Sequence, residues 1–263
     1  GRSCVAQEAF LHQKVHLRGH HAVYQMQNAK AKPRSRPDDY GSGAKYWDVQ
    51  YEKHPRPFEW LREYRDLATF VDEATAGNHG SSILHVGCGN SMITESMYDA
   101  GYHNIVNIDV SSVVIALMAA RNTGRPDMSW LEMDATNMDF KDGRFDVVLD
   151  KSLLDTLACT PLAQRADTMR DFLSEVFRVL RPGGVYLCIS FGTPSARQSY
   201  LEGSCVASVS VSELAAKREG LTPHYVYMCR RAQPSSSSAA GAEDCQDSQE
   251  SALQTGFCLN ELD

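Results

Sequence analysis

The chain has 263 residues, of which 43% are hydrophobic and 22% charged, proportions that fit one globular domain with or without tails. Its formal net charge of -7 argues against duplex nucleic acid as the main partner, because phosphate contacts need clustered lysines and arginines. A mildly acidic surface suits a small molecule or a basic protein segment. No apolar run approaches the roughly 20 residues of a membrane-spanning helix. We expect a monomer that does not associate with membranes.

Eight cysteines are spread along the chain without a CxxC pair or the spacing of a zinc site. Several lie within apolar runs, such as Leu187-Cys188-Ile189. We interpret the cysteines as free thiols in a reducing compartment, which predicts a cytoplasmic location and no metal.

Three stretches of different composition divide the chain. Residues 1–40 carry seven Lys or Arg up to Pro37 against one acid, Glu8, and predict a flexible basic segment that leaves a mitochondrial location open. Residues 232–263 begin with a serine run, carry six acids and no Lys or Arg, and predict a disordered acidic tail. Residues 41–231 between them are the predicted folded domain.

The first part of this domain, residues 45–75, predicts two helices. A short aromatic helix covers residues 46–51, and Pro55 and Pro57 then break the chain. Bulky residues follow at the spacing of one helix face, which places them all on a second helix: Trp60, Tyr64, Leu67 and Val71.

From residue 82 onward, strands and helices alternate. Apolar runs predict strands over 83–86, 104–108, 128–133, 145–149 and 185–190, and periodicity predicts helices over 91–99, 111–122 and 163–180. The stretches 206–211 and 225–229 predict an antiparallel pair. The fold class is therefore α/β, a Rossmann-like seven-stranded sheet that is mostly parallel, with an antiparallel C-terminal hairpin and helices on both faces.

A glycine turn follows the first predicted strand, in Gly87-Cys88-Gly89. Ligands of open α/β sheets lie outside the carboxyl ends of the strands, and glycine lets the backbone approach them closely. The dinucleotide pattern G-x-G-x-x-G requires a third glycine where this chain has Met92, which weakens the hypothesis of a nicotinamide oxidoreductase. By itself, the turn also fits an ordinary strand-to-helix connection.

Acidic residues end the next strands. Asp109 lies twenty residues after Gly89 and can accept hydrogen bonds from both ribose hydroxyls, whereas Asp134 follows the third strand and can accept from an adenine amino group. Each acid alone also fits a helix cap or a solvated loop.

The fourth strand ends in Asp150-Lys151-Ser152-Leu153-Leu154-Asp155. A carboxylate at this strand end would stabilise a nearby cation such as a sulfonium. Alternatively, Lys151 pairs with Asp155 at i+4, as on a helix surface.

These blocks resemble class I, seven-stranded methyltransferases over residues 45 to 231. The narrower resemblance is to the small lysine methyltransferases that act on elongation factor 1-alpha, with the citrate synthase lysine methyltransferase as a relative. The matching blocks are Tyr46-Trp47-x-x-x-Tyr51, Phe58-x-Trp60, Val86-Gly87-Cys88-Gly89-Asn90-Ser91, Asp109-x-Ser111-x-Val113-Val114 and Phe145-Asp146-Val147-Val148-Leu149-Asp150-Lys151-x-x-Leu154-Asp155.

The resemblance implies S-adenosylmethionine as cofactor, S-adenosylhomocysteine as product, and helices over 45–75 that cover the cofactor. It implies cofactor contacts from Trp47, Tyr51, Trp60, Gly87, Cys88, Gly89, Asn90, Asp109, Val110, Asp134, Ala135 and Asp150. It also implies that catalytic residues are to be sought among Asp150, Lys151 and Asp155.

The expected function is protein lysine N-methylation, with a protein such as elongation factor 1-alpha as partner. Two departures from the pattern bear on the substrate: Ser152 stands where the family usually has glycine, and a Ser/Val-rich stretch, 204–212, replaces an aromatic-rich acceptor loop. Methylation of a small molecule, or a catalytically silent binding module, are the alternative functions.

Overall fold

A seven-stranded sheet organises the computed structural model, which describes residues 43–216 and 222–233. The predicted basic segment 1–40 and all but the first two residues of the predicted tail 232–263 lie outside the described residues. The strands are β1 (Ile83–Val86), β2 (Ile105–Asp109), β3 (Met128–Glu132), β4 (Phe145–Lys151), β5 (Leu180–Ser190), β6 (Val206–Leu214) and β7 (His224–Arg231). The helices are α1 (Ala44–Lys53), α2 (Tyr64–Thr75), α3 (Ile93–Asp99), α4 (Ser112–Arg121), α5 (Leu153–Leu157), α6 (Leu162–Val179) and α7 (Pro194–Leu201).

The strand order is β3-β2-β1-β4-β5-β7-β6. Strands β1 to β5 pair in parallel, and β7 is antiparallel to both β5 and β6. The predicted fold class is therefore confirmed. The strand order reverses at β1, which β2 and β4 flank, so the carboxyl ends of β1 and β4 meet where ligands bind in such sheets.

The two faces of the sheet each pack against helices. Side chains of β1 alternate between them, so that Leu84 packs with Phe172 of α6 and Ile83 packs with Leu67 of α2. Burying both faces fixes the register of the parallel strands, since a slip by one residue would exchange the two faces. The rigid edge that results holds the residues predicted to bind ligand.

The second predicted helix begins later than its periodicity indicates. Helix α2 starts at Tyr64, and Trp60 lies before it in non-helical backbone. Leu61 has a left-handed φ of 60°, and the Arg62 amide donates to the Trp60 carbonyl oxygen at 2.7 Å, which makes a tight turn. Placing Trp60 on the helix face with Leu67 was wrong, because this turn separates them.

Several other boundaries differ from the prediction. Helices α5 and α7 were not predicted, since both are short. Strand β5 starts at Leu180, so residues 181–184, which separate the predicted helix from the predicted strand, belong to the strand. The register against β4 shifts there, from Phe145 opposite Leu180 to Val147 opposite Val185, and accommodates Pro182 and the two glycines as an irregularity.

The cysteines fit the free-thiol interpretation in the core, where Cys88, Cys188 and Cys229 are buried free thiols. Cys205 departs from it, since it is disulfide-bonded in the structure. In the described part of the chain, no helix is both long and apolar enough to cross a membrane.

Ser152 occupies the junction between β4 and α5 in a left-handed conformation, with φ 79° and ψ 3°. A side chain at this φ costs about 1–2 kcal/mol relative to the right-handed helical region. We expect Ser152→Gly to raise the free energy of unfolding by up to about 1 kcal/mol. Thermal and urea unfolding measure this gain, and Ser152→Ala is the control because it keeps the Cβ. A Gly variant that is less stable than the Ala variant would show that strain does not dominate here.

Candidate active site

The turn after β1 is built on two glycines with left-handed backbone, Gly87 (φ 58°) and Gly89 (φ 52°). A Cβ at Gly87 would lie 2.9 Å from a methyl carbon of Leu153, and one at Gly89 would lie 2.7 Å from the Tyr51 hydroxyl. Both distances are shorter than real contacts allow. The turn is therefore enclosed by α1 on one side and by the start of α5 on the other, which brings Tyr51 to the predicted glycine motif.

Asp109 ends β2 and is 6% exposed. Its carboxylate accepts hydrogen bonds from the Gly89 amide at 2.9 Å and from the Ser111 amide at 3.0 Å. Burial raises the pKa of Asp109 to about 6, against the lowering effect of these amides, and the charge of Asp48 raises it further. A carboxylate has about four acceptor positions, so two remain for a vicinal diol such as a ribose. This chemistry fits the ribose of an adenosine cofactor.

Asp48 of α1 is a site residue that sequence reasoning missed. Its carboxylate accepts from the Ser111 hydroxyl at 2.6 Å and from the Val113 amide at 3.4 Å. It therefore docks α1 on the N-terminus of α4, where the helix dipole favours negative charge. On the same helix, the rings of Trp47 and Tyr51 stack with centroids 6.0 Å apart. Asp48 stands inside the aromatic block, but nothing in the pattern indicates its partner 63 residues away.

Residues 54–60, which we call the strap, cross from α1 to the carboxyl ends of β1 and β4. The Asn90 side-chain amide donates to the carbonyl oxygens of His54 at 3.2 Å and Arg56 at 2.6 Å. Asn90, predicted to contact cofactor, therefore also anchors the strap.

Glu59 fixes the other end of the strap. It accepts from the Ser91 hydroxyl at 2.9 Å, from the Met92 amide, and from the Lys151 ammonium at 2.8 Å. Lys151 also donates to the Trp60 carbonyl oxygen at 3.0 Å, and its side chain is 1% exposed. The alternative pairing of Lys151 with Asp155 was wrong, because Lys151 belongs to β4 and pairs with Glu59 instead.

Asp150, one residue earlier, projects to the opposite face of the sheet and is fully buried. It accepts from the Leu153 amide at 2.8 Å, the Leu154 amide at 3.1 Å and the Tyr186 hydroxyl at 2.7 Å. Burial raises the pKa of Asp150 to about 7 although these donors lower it. The geometry shows Asp150 holding the start of α5; its predicted place beside the methionine end stays a prediction.

The remaining residues predicted to bind adenine lie just after β2 and β3. Asp134 is exposed and accepts from the amide and hydroxyl of Thr136, both at 2.8 Å. Met133, before it, donates its amide to the Asp109 carbonyl oxygen at 2.9 Å, which keeps the ends of β2 and β3 adjacent. Val110 and Ala135 are partly buried at these two ends. Their predicted adenine contacts are compatible with this position.

Cys88 is buried, and burial together with the charge of Asp109 raises its thiol pKa. Asp155 lies apart from the glycine turn in a buried network with Arg197. In the described residues, no group of three or more His, Cys, Asp or Glu side chains is placed to hold a metal ion.

Parts of the chain are similar to known proteins. Residues 84–188 match the family model described as a methyltransferase domain. The eEF1A lysine and N-terminal methyltransferase of Bos taurus is 42% identical over 154 residues, which cover 58% of this chain and 22% of that protein. The EEF1A lysine methyltransferase 4 of Mus musculus is 33% identical over 160 residues, 58% of this chain and 62% of that protein.

A solved structure of 1,6-didemethyltoxoflavin-N1-methyltransferase from Burkholderia thailandensis, with bound S-adenosylhomocysteine, shares the fold at a TM-score of 0.52. It is 16% identical and covers 77% of this chain and 93% of that chain. Residues 84–188 are therefore similar to a methyltransferase domain, and the described residues share the fold of this methyltransferase. The chain spans about a fifth of the length of the Bos taurus relative.

The raised pKa of Asp109 predicts that cofactor affinity depends on pH. Below about pH 6 the carboxyl becomes protonated and loses acceptor strength for the ribose hydroxyls. We expect the Kd for S-adenosylmethionine to rise about tenfold between pH 7.5 and pH 5, since each pH unit below the pKa reduces the ionised fraction up to tenfold.

Isothermal titration calorimetry across this range measures the profile. Asp109→Asn is the matched variant, because its amide does not titrate and should give weaker but flat binding. An unchanged inflection in the Asn variant would assign the titration to another group, such as Asp150.

The strap predicts a second effect. Glu59→Gln leaves the Lys151 ammonium buried without its counter-charge, so we expect a loss of about 2 kcal/mol in unfolding free energy and weaker cofactor binding. Glu63→Gln is the matched control, since Glu63 pairs with Arg65 at the surface. Thermal unfolding and calorimetry on both variants test this. Equal behaviour of the two variants would mean that Glu59 does not hold the strap.

Proposed function

We propose that this chain is a protein lysine N-methyltransferase that acts on a protein such as eEF1A. The observation that carries the proposal is the 42% identity to a protein named as an eEF1A lysine and N-terminal methyltransferase, over a stretch of 154 residues. The geometry supports it, because the aromatic helix α1, the strap and the end of β4 meet around the glycine turn. The proposal extends only to the domain, since most of that relative's length has no counterpart here.

S-Adenosylmethionine supplies a methyl group on a sulfonium when bound. The lysine nitrogen would accept this methyl group through its lone pair and release its proton to water, with S-adenosylhomocysteine as the other product. The domain mainly has to align nucleophile and methyl group, which can contribute about 7–11 kcal/mol. Asp109 and the glycine turn hold one side of this arrangement. The ion pair of Glu59 and Lys151 holds the strap on the other side.

The lysine must be neutral before it attacks, and desolvation at the carboxyl edge of the sheet lowers its pKa. We propose that neither Asp150 nor Asp155 removes the proton directly. Asp150 is fully buried, and its oxygens accept from Leu153, Leu154 and Tyr186. The oxygens of Asp155 accept from Arg197 and from the end of β5. The predicted catalytic roles of both residues are thus better supported as positioning roles.

We also propose a cytoplasmic location.

The test is incubation of the purified chain with radiolabelled S-adenosylmethionine and either eEF1A, citrate synthase or a cell lysate. We expect label in a protein band and a methylated lysine by mass spectrometry, abolished in Asp109→Ala and retained in Glu63→Gln. Label confined to the small-molecule fraction would contradict a protein substrate. Absence of heat with S-adenosylmethionine in calorimetry would instead indicate a silent binding module.

A further inference from the structure

The end of β5 carries a buried polar network that the proposed chemistry does not use. Asp155 of α5 is 2% exposed, and its carboxylate accepts from the Ser190 hydroxyl, the Phe191 amide at 3.1 Å and the Arg197 guanidinium at 2.9 Å. The Ser152 hydroxyl approaches the same carboxylate at 3.5 Å. Arg197 is 7% exposed, so this ion pair between α5 and α7 is buried.

The network fixes the backbone that follows β5. The Gly192 amide donates to the Ser190 hydroxyl at 2.9 Å, and the Gly192 carbonyl oxygen accepts from the Tyr227 hydroxyl at 2.7 Å. A Cβ at Gly192 would lie 2.4 Å from Arg197 Nε, so the guanidinium lies directly against this backbone. Residues 190–192 are therefore held from α5, α7 and β7 at once.

Phe191 is the side chain that this arrangement presents. It is partly exposed, belongs to neither core cluster, and its ring centroid lies 5.9 Å from the Arg197 guanidinium carbon. It directly follows β5 at the carboxyl edge of the sheet, where the Ser152 amide donates to the Ile189 carbonyl oxygen at 3.0 Å. The next residue, Leu153, contacts the Gly87 position of the cofactor turn. The junction of β4 and α5, at Ser152 and Leu153, therefore connects the cofactor turn at Gly87 to the backbone before Phe191.

We propose that Phe191 forms a wall of the acceptor site, against which the substrate lysine side chain packs, and that Asp155 and Arg197 are positioning residues for it. This inference rests on the proposed function and specifies its acceptor side. An aromatic face attracts an ammonium and excludes water from its alkyl stem, which suits binding of a lysine before it loses its proton. The Asp155 carboxylate neutralises Arg197, so the guanidinium beside the ring does not repel the substrate cation.

The experiment is steady-state kinetics with the protein substrate found for the wild type, on Phe191→Leu and Phe191→Tyr in the full chain. Leu keeps apolar volume and removes the ring, so we expect KM for the protein substrate to rise about tenfold while the Kd for S-adenosylmethionine stays within twofold. Tyr keeps the ring and should restore KM. Phe70→Leu is the matched control. Phe70 is a partly buried residue of α2 that packs against the core cluster containing Leu67 and Ile83.

The positioning role is tested with Asp155→Asn and Arg197→Lys. We expect both to raise KM for the protein substrate with little change in cofactor Kd, and the double change Phe191→Leu with Asp155→Asn to add nothing further to KM. If the wild type is active and Phe191→Leu leaves KM within twofold, or shifts cofactor Kd equally, the inference is overturned. A wild type that binds cofactor but labels no protein overturns the proposed function, and the inference with it.

Discussion

Burial of carboxylates at the carboxyl edge of the sheet is the constraint on which the rest of the structure depends. Asp109, Asp150, Asp155 and Glu59 all lie there, and each needs donors, because an unpaired buried charge is strongly unfavourable. Two of them use backbone amides: Asp109 between the glycine turn and α4, and Asp150 at the start of α5. The other two accept from amides as well but also form ion pairs, Asp155 with Arg197 and Glu59 with Lys151. These four solutions tie the strand ends, the strap and the short helices into one edge.

Backbone-amide donors and ion pairs have different consequences for the carboxylates. Amide donors leave acceptor positions on the carboxylate, and the pKa values of Asp109 and Asp150 are raised to about 6 and about 7 because amides do not offset burial fully. Of these two, Asp109 is the residue that we propose to bind the ribose. Ion pairs instead join elements that are distant in sequence, since Glu59 and Lys151 are 92 residues apart. A carboxylate held by amides is suited to binding a ligand, whereas an ion pair is suited to holding the polypeptide around that ligand.

The sequence predicts the carboxylates held by backbone amides well and the ion pairs poorly. Apolar runs and glycine stops locate the parallel strands, and acids that follow strands necessarily collect at one edge, so Asp109 and the glycine turn could be predicted together. Glu59, Asp48 and Arg197 give no local signal, because their partners come from other elements. The i+4 rule suggested Asp155 for Lys151, but that rule requires a continuous helix. Ser152, in a left-handed conformation, separates the strand from α5, and Lys151 therefore faces the strap.

The junction at Ser152 also shows how this chain accommodates a serine in a left-handed conformation. A serine at this φ is strained, but its hydroxyl approaches the Asp155 carboxylate that Arg197 already occupies, 3.5 Å away. An additional donor partly compensates for the backbone conformation, since a carboxylate with several donors is stabilised by each. The same carboxylate accepts from the Phe191 amide, and Leu153, the residue after Ser152, contacts the glycine turn, so this junction connects the cofactor turn to the proposed acceptor side of the sheet.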